Sequence, residues 1–201
     1  MTRRAKIRQI IFLVFLVLVF VFTCKNYIFA DSNNEGKPVS SKKVEVTINE
    51  HSEKFSIEKY QNNNEYQYFL VKNNLFGSKH KIKLSGFEEE ILLCKQKVVK
   101  LQNDNEAICL MGNVGVHSQN IQVIKYLDNH FSIIPFVRES TSENITTDVP
   151  YFHFSEDNGK TKLIIDQRNY DLNPLTSSIR SSYEISDKGF VFDGEENITY
   201  N

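Results

Sequence analysis

The chain has 201 residues, with 24 Lys and Arg against 25 Asp and Glu, a formal net charge of −1, three cysteines and no tryptophan. Residues 1–30 carry five of the basic groups (Arg3, Arg4, Lys6, Arg8, Lys25) and no acid, so the remainder has a net charge of −6. That charge disfavours a nucleic-acid partner, which needs a concentrated positive face, and 15 Phe and 9 Tyr among frequent Val and Ile form a strand-forming composition with no long helix expected beyond the leader.

At the amino end, Ile10 to Phe22 is an unbroken run of 13 apolar residues behind four basic ones. Insertion of such a run into a bilayer is favoured by roughly 4–8 kcal/mol, and the basic flank predicts a cytosolic amino terminus with the rest exported. Thirteen residues span only about 20 Å of a hydrocarbon layer of about 30 Å, as in a signal peptide. The cleavage position, Ile28-Phe29-Ala30, has a small residue at Ala30 but a bulky one at Ile28. A helix over residues 10–28, with Lys25 reaching the headgroups, spans the layer as a retained single-pass anchor. The expectation is an anchor through residues 10–28, with secretion after cleavage behind Ala30 as the alternative and lipid attachment at Cys24 as a third.

Residues 31–43 (DSNNEGKPVSSKK) are polar and aperiodic and read as a flexible linker of about 20 Å. From residue 44 onward, short apolar runs alternate with turn residues every 8–12 positions, the pattern of consecutive antiparallel strands. Strands are expected at Val44 to Ile48, where the apolar residues are strictly alternate, and at Phe55 to Lys59, Tyr66 to Val71 and His80 to Leu84. A second set follows at Val98 to Gln102, Ala107 to Met111, Ile121 to Leu127 and Phe131 to Phe136. A third set is expected at Tyr151 to Ser155, Leu163 to Asp166, Ile179 to Ile185 and Phe190 to Phe192. The fold class is therefore all-β after a single amino-terminal membrane helix: four-stranded antiparallel units at about 44–86, 91–137 and 150–196 within an extracytoplasmic domain of residues 44–201, arranged as a partial propeller or a stack of two sheets.

The second and third sets align with each other, Leu101 on Phe154, Asp104 on Asp157, Asn113 on Asn169 and Asp128 on Asp187. A repeat of about 50 residues with four strands is the period of a propeller blade. The segments GNVGVHSQNIQVIKYLDNHFSIIPF, DVPYFHFSEDNGKTKLIIDQRNYD and SYEISDKGFVFDGEE resemble the repeats of bacterial surface proteins of the FG-GAP, or integrin-alpha-like, propeller class over about residues 91–196. The resemblance implies a calcium loop in the turn before the inner strand. Its aligned positions here are Phe154, Glu156, Asn158 and Gly159, so the first carboxylate is missing.

No catalytic, cofactor or metal residue is expected. Glu156-Asp157-Asn158-Gly159 supplies three or four of the six to eight oxygens that calcium takes, and it also suits a plain hairpin turn. The five histidines (His51, His80, His117, His130, His153) lack metal-ligand spacing, and His117, in the glycine-containing loop Gly112 to Ser118, has no acidic partner placed by a motif. Cys94 and Cys109 lie in apolar runs. With a turn at Asn103 to Asn105, Cys109 falls opposite about Val99, some five residues from Cys94, so two buried free thiols are expected. Asn144-Ile145-Thr146 and Asn197-Ile198-Thr199 match the glycosylation pattern but read as turns. Two readings stand for Tyr151-Phe152-His153-Phe154 and for Tyr60, Tyr66 and Tyr68: a core filling, the commoner fate of alternate aromatics on a two-faced strand, or an exposed binding face. The expectation is thus a membrane-tethered module that binds or scaffolds a protein or cell-surface partner without chemistry. The alternatives are an exported hydrolase using His117 with Asp166, or a calcium-dependent adhesion domain.

Overall fold

The computed structural model describes residues 36–63, 65–74, 78–88, 90–102, 105–115, 118–143, 145–147, 151–157, 159–169, 171–172, 174 and 176–200. Among these, the regular elements are fifteen strands, and no helix is long and apolar enough to cross a membrane. The described part of the chain is all-β, as its composition implies. The leader, with Cys24 and Ala30, lies outside the described residues, as do Asn103, Asp104, His117, Asn144 and Asn158.

Three antiparallel meanders follow one another along the chain. The first sheet is β1 (Ser40–Ile48), β2 (His51–Asn62), β3 (Glu65–Asn73) and β4 (Lys79–Leu84). The second is built on β5 (Ile91–Lys100), β6 (Glu106–Val114), β7 (Ser118–Leu127) and β8 (His130–Ile134). Before the third sheet come β9 (Phe136–Arg138), β10 (Thr141–Glu143) and β11 (Ile145–Thr147), followed by β12 (Phe152–Asp157), β13 (Lys160–Arg168), β14 (Ser177–Ser186) and β15 (Gly189–Thr199).

β1 begins at Ser40, so Ser40 to Lys43 belong to the sheet rather than to a linker ending at residue 43. These four residues are exposed, which removes any apolar signal, yet they pair with Lys59 to Ser56 through the backbone. Asn197 to Thr199 likewise lie in β15, and Ile145 to Thr147 form β11, where turns are expected from the sequence. The Asn197 side chain is engaged there, its Oδ1 accepting from Asn169 Nδ2 at 2.8 Å.

The second sheet has no solvent face along its centre. Ile108, Leu110, Ile124 and Tyr126 pack with Val44, Val46, Phe55, Ile57 and Leu70 of the first sheet. From the opposite face, Ala107, Cys109, Ile121 and Val123 pack with Phe154, Leu163, Ile165, Tyr183 and Phe190 of the third. A strand covered on both faces reads as a continuous apolar run rather than an alternating one, which is why Ala107 to Met111 spells AICLM while Val44 to Ile48 spells VEVTI. Each fully buried Leu, Ile or Val contributes about 1.5–3 kcal/mol, so the middle sheet carries two cores at once.

Both connections between sheets are pinned by specific contacts. Between β4 and β5, the buried Asn120 donates from Nδ2 to the Gly86 carbonyl at 2.9 Å, and Gln122 donates from Nε2 to the Ser85 carbonyl at 2.9 Å. Gly86, at φ +73°, leaves no room for a Cβ, which would stand 2.3 Å from Asn120 Nδ2. Between β8 and β12 the chain stitches two sheets together. β9 pairs in parallel with β15 of the third sheet, and β11 pairs with β7 of the second. Phe136 of β9 stacks on Phe190 of β15, with ring centroids 5.4 Å apart.

In β5 the register shifts between Leu93, opposite Leu110, and Val98, opposite Ile108. Residues 94–97 therefore bulge against Cys109 alone, which corrects the expected separation: Cys109 faces the bulge that begins at Cys94, and Val99 lies opposite Ala107. Both cysteines are free and buried, as expected.

Candidate functional site

A concavity of about 880 Å³ opens where the turns β1–β2, β3–β4 and β7–β8 converge. Ile48, Glu53, Lys72, Tyr126 and Asp128 are among its lining residues. Lys72 pairs with Glu53, and its Nζ sits 5.1 Å from the Phe55 ring centroid and 5.6 Å from that of Tyr126. The Tyr126 hydroxyl donates to Asn129 Oδ1 at 3.0 Å. Burial first, and the Glu53 charge second, raise the Tyr126 hydroxyl above its ordinary range. Lys72 is matched by the Glu53 carboxylate and the Tyr126 hydroxyl by Asn129, beside a lining that is otherwise largely apolar.

A different surface lies on the third sheet, on the face turned away from the second. Antiparallel alternation places Asp166 of β13, Arg180 of β14 and Glu196 of β15 in one row across the sheet. Arg180 donates to Asp166 from Nε at 2.7 Å and from Nη2 at 2.9 Å, and Arg180 Nη1 lies 3.9 Å from Glu196. Lys162 forms a second group with Asp193 at 3.1 Å, Glu184 at 3.7 Å and Asp157 at 3.8 Å. Lysine and arginine are thus each matched by carboxylates in two groups on this face. A shallow depression of about 450 Å³, floored by Ile164, Ser182 and Gly194, lies among them.

At the end of this face a cleft of about 420 Å³ is lined by Tyr151, Asp166, Arg168, Ser178 and Tyr200. Tyr151 is 67% exposed and Tyr200 50% exposed. Main-chain bonds fix both residues: Asp166 N donates to Tyr151 O at 2.8 Å, and Tyr200 N to Thr176 O at 2.7 Å. The hydroxyls of Ser178 and Tyr200 are 2.8 Å apart. The rings are held at their backbones while their faces stay open, a geometry suited to contact with a partner at little ordering cost.

The ionisable groups that the fold perturbs respond to pH in one direction. The hydrogen bond to Asp193, helped by the charges of Asp193, Glu184 and Asp157 against a smaller burial effect, raises Lys162. Where Cys109 is a thiol, burial and then its interaction with Cys94 raise it. With Tyr126, each of these groups holds its proton more tightly in the folded chain than in the unfolded one. The folded state therefore binds more protons in the alkaline range, and stability falls as the pH rises through and beyond about 9–10. The melting temperature at pH 11 is expected to lie below that at pH 8, which scanning calorimetry at the two values measures.

The residues singled out in the sequence do not converge on one site. His117 lies outside the described residues, while Asp166, its supposed partner, is held on both oxygens by Arg180. His51 lines the large concavity and His153 the depression on the third sheet, while His80 and His130 face each other with ring centroids 6.3 Å apart. Glu156 and Asp157 end β12 at a tight hairpin, with Glu156 3.7 Å from Lys100 and Asp157 3.8 Å from Lys162. Among the described residues no group of three or more His, Cys, Asp or Glu is placed to hold a metal ion.

The aromatics divide by strand alternation. Phe152 and Phe154 turn into the core while Tyr151 turns out, whereas Tyr66 and Tyr68 share one face of β3, Tyr66 exposed near the strand's start and Tyr68 buried further along. The tyrosine cleft was half legible: Tyr151 stands out in the sequence, but Tyr200 lies 49 residues away and shares no motif with it. Comparison with protein-family models, curated proteins and solved structures yields no match for this chain.

Proposed function

We propose that the chain is an extracytoplasmic β module, tethered to the membrane by its amino-terminal segment, which binds a macromolecular partner through the outer face of the third sheet. The cleft between Tyr151 and Tyr200 carries this reading. Two half-open aromatic rings over a floor of Asp166, Arg168 and Ser178 combine apolar contact area with hydrogen-bonding groups, the composition of interface anchors. The apolar run Ile10 to Phe22 and its basic flank support the tether and the export.

In this reading the three meanders, stacked face to face, form a propeller-like arc akin to the FG-GAP class, and the charge-covered face of the third sheet ends it. Packing a further sheet there would bury Lys162, Arg180 and their carboxylates, and repeat stacks close on polar outer faces of this kind. A photoreactive amino acid at position 151 of the membrane-bound protein tests the proposal, since a discrete crosslinked adduct is expected there.

A further inference from the structure

We infer that Cys94 and Cys109, both thiols in this structure, close to a disulfide across the bulge between β5 and β6 by exchange with a disulfide-bearing oxidant of the thiol-oxidoreductase or glutathione class. Only the place where that oxidant is met rests on the export proposed above.

The register carries the inference. Leu93 pairs with Leu110, so the next residue on each strand is a cysteine, Cys94 and Cys109, and the bulge starts at that step. The last registered pair before the bulge, Leu93 and Leu110, brings the two backbones to ladder spacing one residue from each cysteine, within the reach of a disulfide. Both cysteines face the third sheet and pack in one cluster with Val99, Val123 and Phe154. The Cys109 thiol is close enough to Cys94 for the two to affect each other's ionisation, and the Cys94 thiol donates to the Gln96 carbonyl at 2.7 Å. Gln96 in turn reaches the third sheet, its Oε1 accepting from Phe154 N at 3.2 Å.

Cys94 and Cys109 are 2% and 0% exposed. The exchange therefore takes place before the third sheet closes over them. The Cys94 thiolate attacks one sulfur of the oxidant's disulfide and expels the other as a thiol. Cys109 then loses its proton to solvent, and its thiolate attacks the Cys94 sulfur, which releases the second oxidant thiol. The protein gives up two hydrogens and two electrons, and the oxidant's disulfide is reduced to two thiols. Once the sheets have packed, the bond is shielded from reductants, so it acts as a permanent staple of the hairpin rather than a switch.

The test uses the full wild-type chain in detergent, unfolded, reduced and then refolded in a glutathione redox buffer. A non-reducing peptide map is expected to join the Cys94 and Cys109 peptides, with Cys24 outside the bond, and the oxidised form to melt about 10 °C above the reduced one. Reduced Cys94 and Cys109 after refolding, or a bond from either to Cys24, overturns the inference. No variant is needed, so a folding defect at a buried position does not confuse the result. The same map on protein alkylated directly in cells reads the compartment: free thiols there, beside a bond in the refolded chain, count against export and leave the pairing intact.

Discussion

Phe190→Ala is expected to destabilise the fold by about 3–5 kcal/mol, read as a lowered midpoint in urea unfolding. Phe190 is fully buried and stands at the junction of the second and third sheets. Its ring stacks on Phe136 at 5.4 Å and lies 5.8 Å from Phe154, so truncation removes aromatic contacts on two sides. The neighbours cannot collapse into the space, because Phe136 is fixed by parallel pairing of β9 to β15 and Phe154 by pairing of β12 to β13. Phe190→Leu, which keeps most of the apolar volume, should lose less.

Gly189→Ala is expected to cost about 3 kcal/mol by the opposite mechanism, overpacking in place of a cavity. Gly189 has φ +112°, a conformation that L side chains rarely adopt, and an added Cβ would lie 2.3 Å from the Pro135 carbonyl oxygen and 2.9 Å from Pro135 Cγ. Backbone strain of about 1–3 kcal/mol adds to a steric overlap of similar size. Relief would require Pro135 to move, which breaks the 2.9 Å bond from Phe190 N to Pro135 O. Because both substitutions loosen the same junction, the double variant should lose less than the sum of the two, a coupling that a double-mutant cycle in urea measures.

The strands of the three meanders were legible because each pairs with its sequence neighbour and shows its apolar residues at the surface it buries. Alternation in Val44 to Ile48 marked a one-sided strand, and the dense run Ala107 to Met111 marked a central one. The elements that escaped are those held by distant partners. β9, β10 and β11 have three residues each, too few for a period, and β9 finds its partner more than 50 residues away in β15. The first half of β5 was missed because the bulge at residues 94–97 breaks the alternation that a register-based reading follows.

On the third sheet the physical reason is similar. Asp166, Arg180 and Glu196 are 14 and 16 residues apart and meet only because two hairpins bring them into one row. No local pattern encodes such a row. Lys72 and Glu53, 19 residues apart on neighbouring strands, meet in the same way at the mouth of the large concavity. Tyr151 could be recognised as an aromatic out of phase with Phe152 and Phe154, whereas its pairing with Tyr200 required the fold.

The central proposal is that the outer face of the third sheet meets a partner outside the membrane. Photo-crosslinking in intact cells tests it most directly, with the photoreactive residue placed at position 151 or 200 and, for comparison, at Lys43 or Lys54 on exposed positions of the first sheet. The expected result is a discrete adduct from 151 and 200, none from 43 and 54, and loss of the adduct to protease added outside the cells. Equal yields at all four positions, no adduct at 151 and 200, or an adduct that the external protease leaves untouched would contradict it.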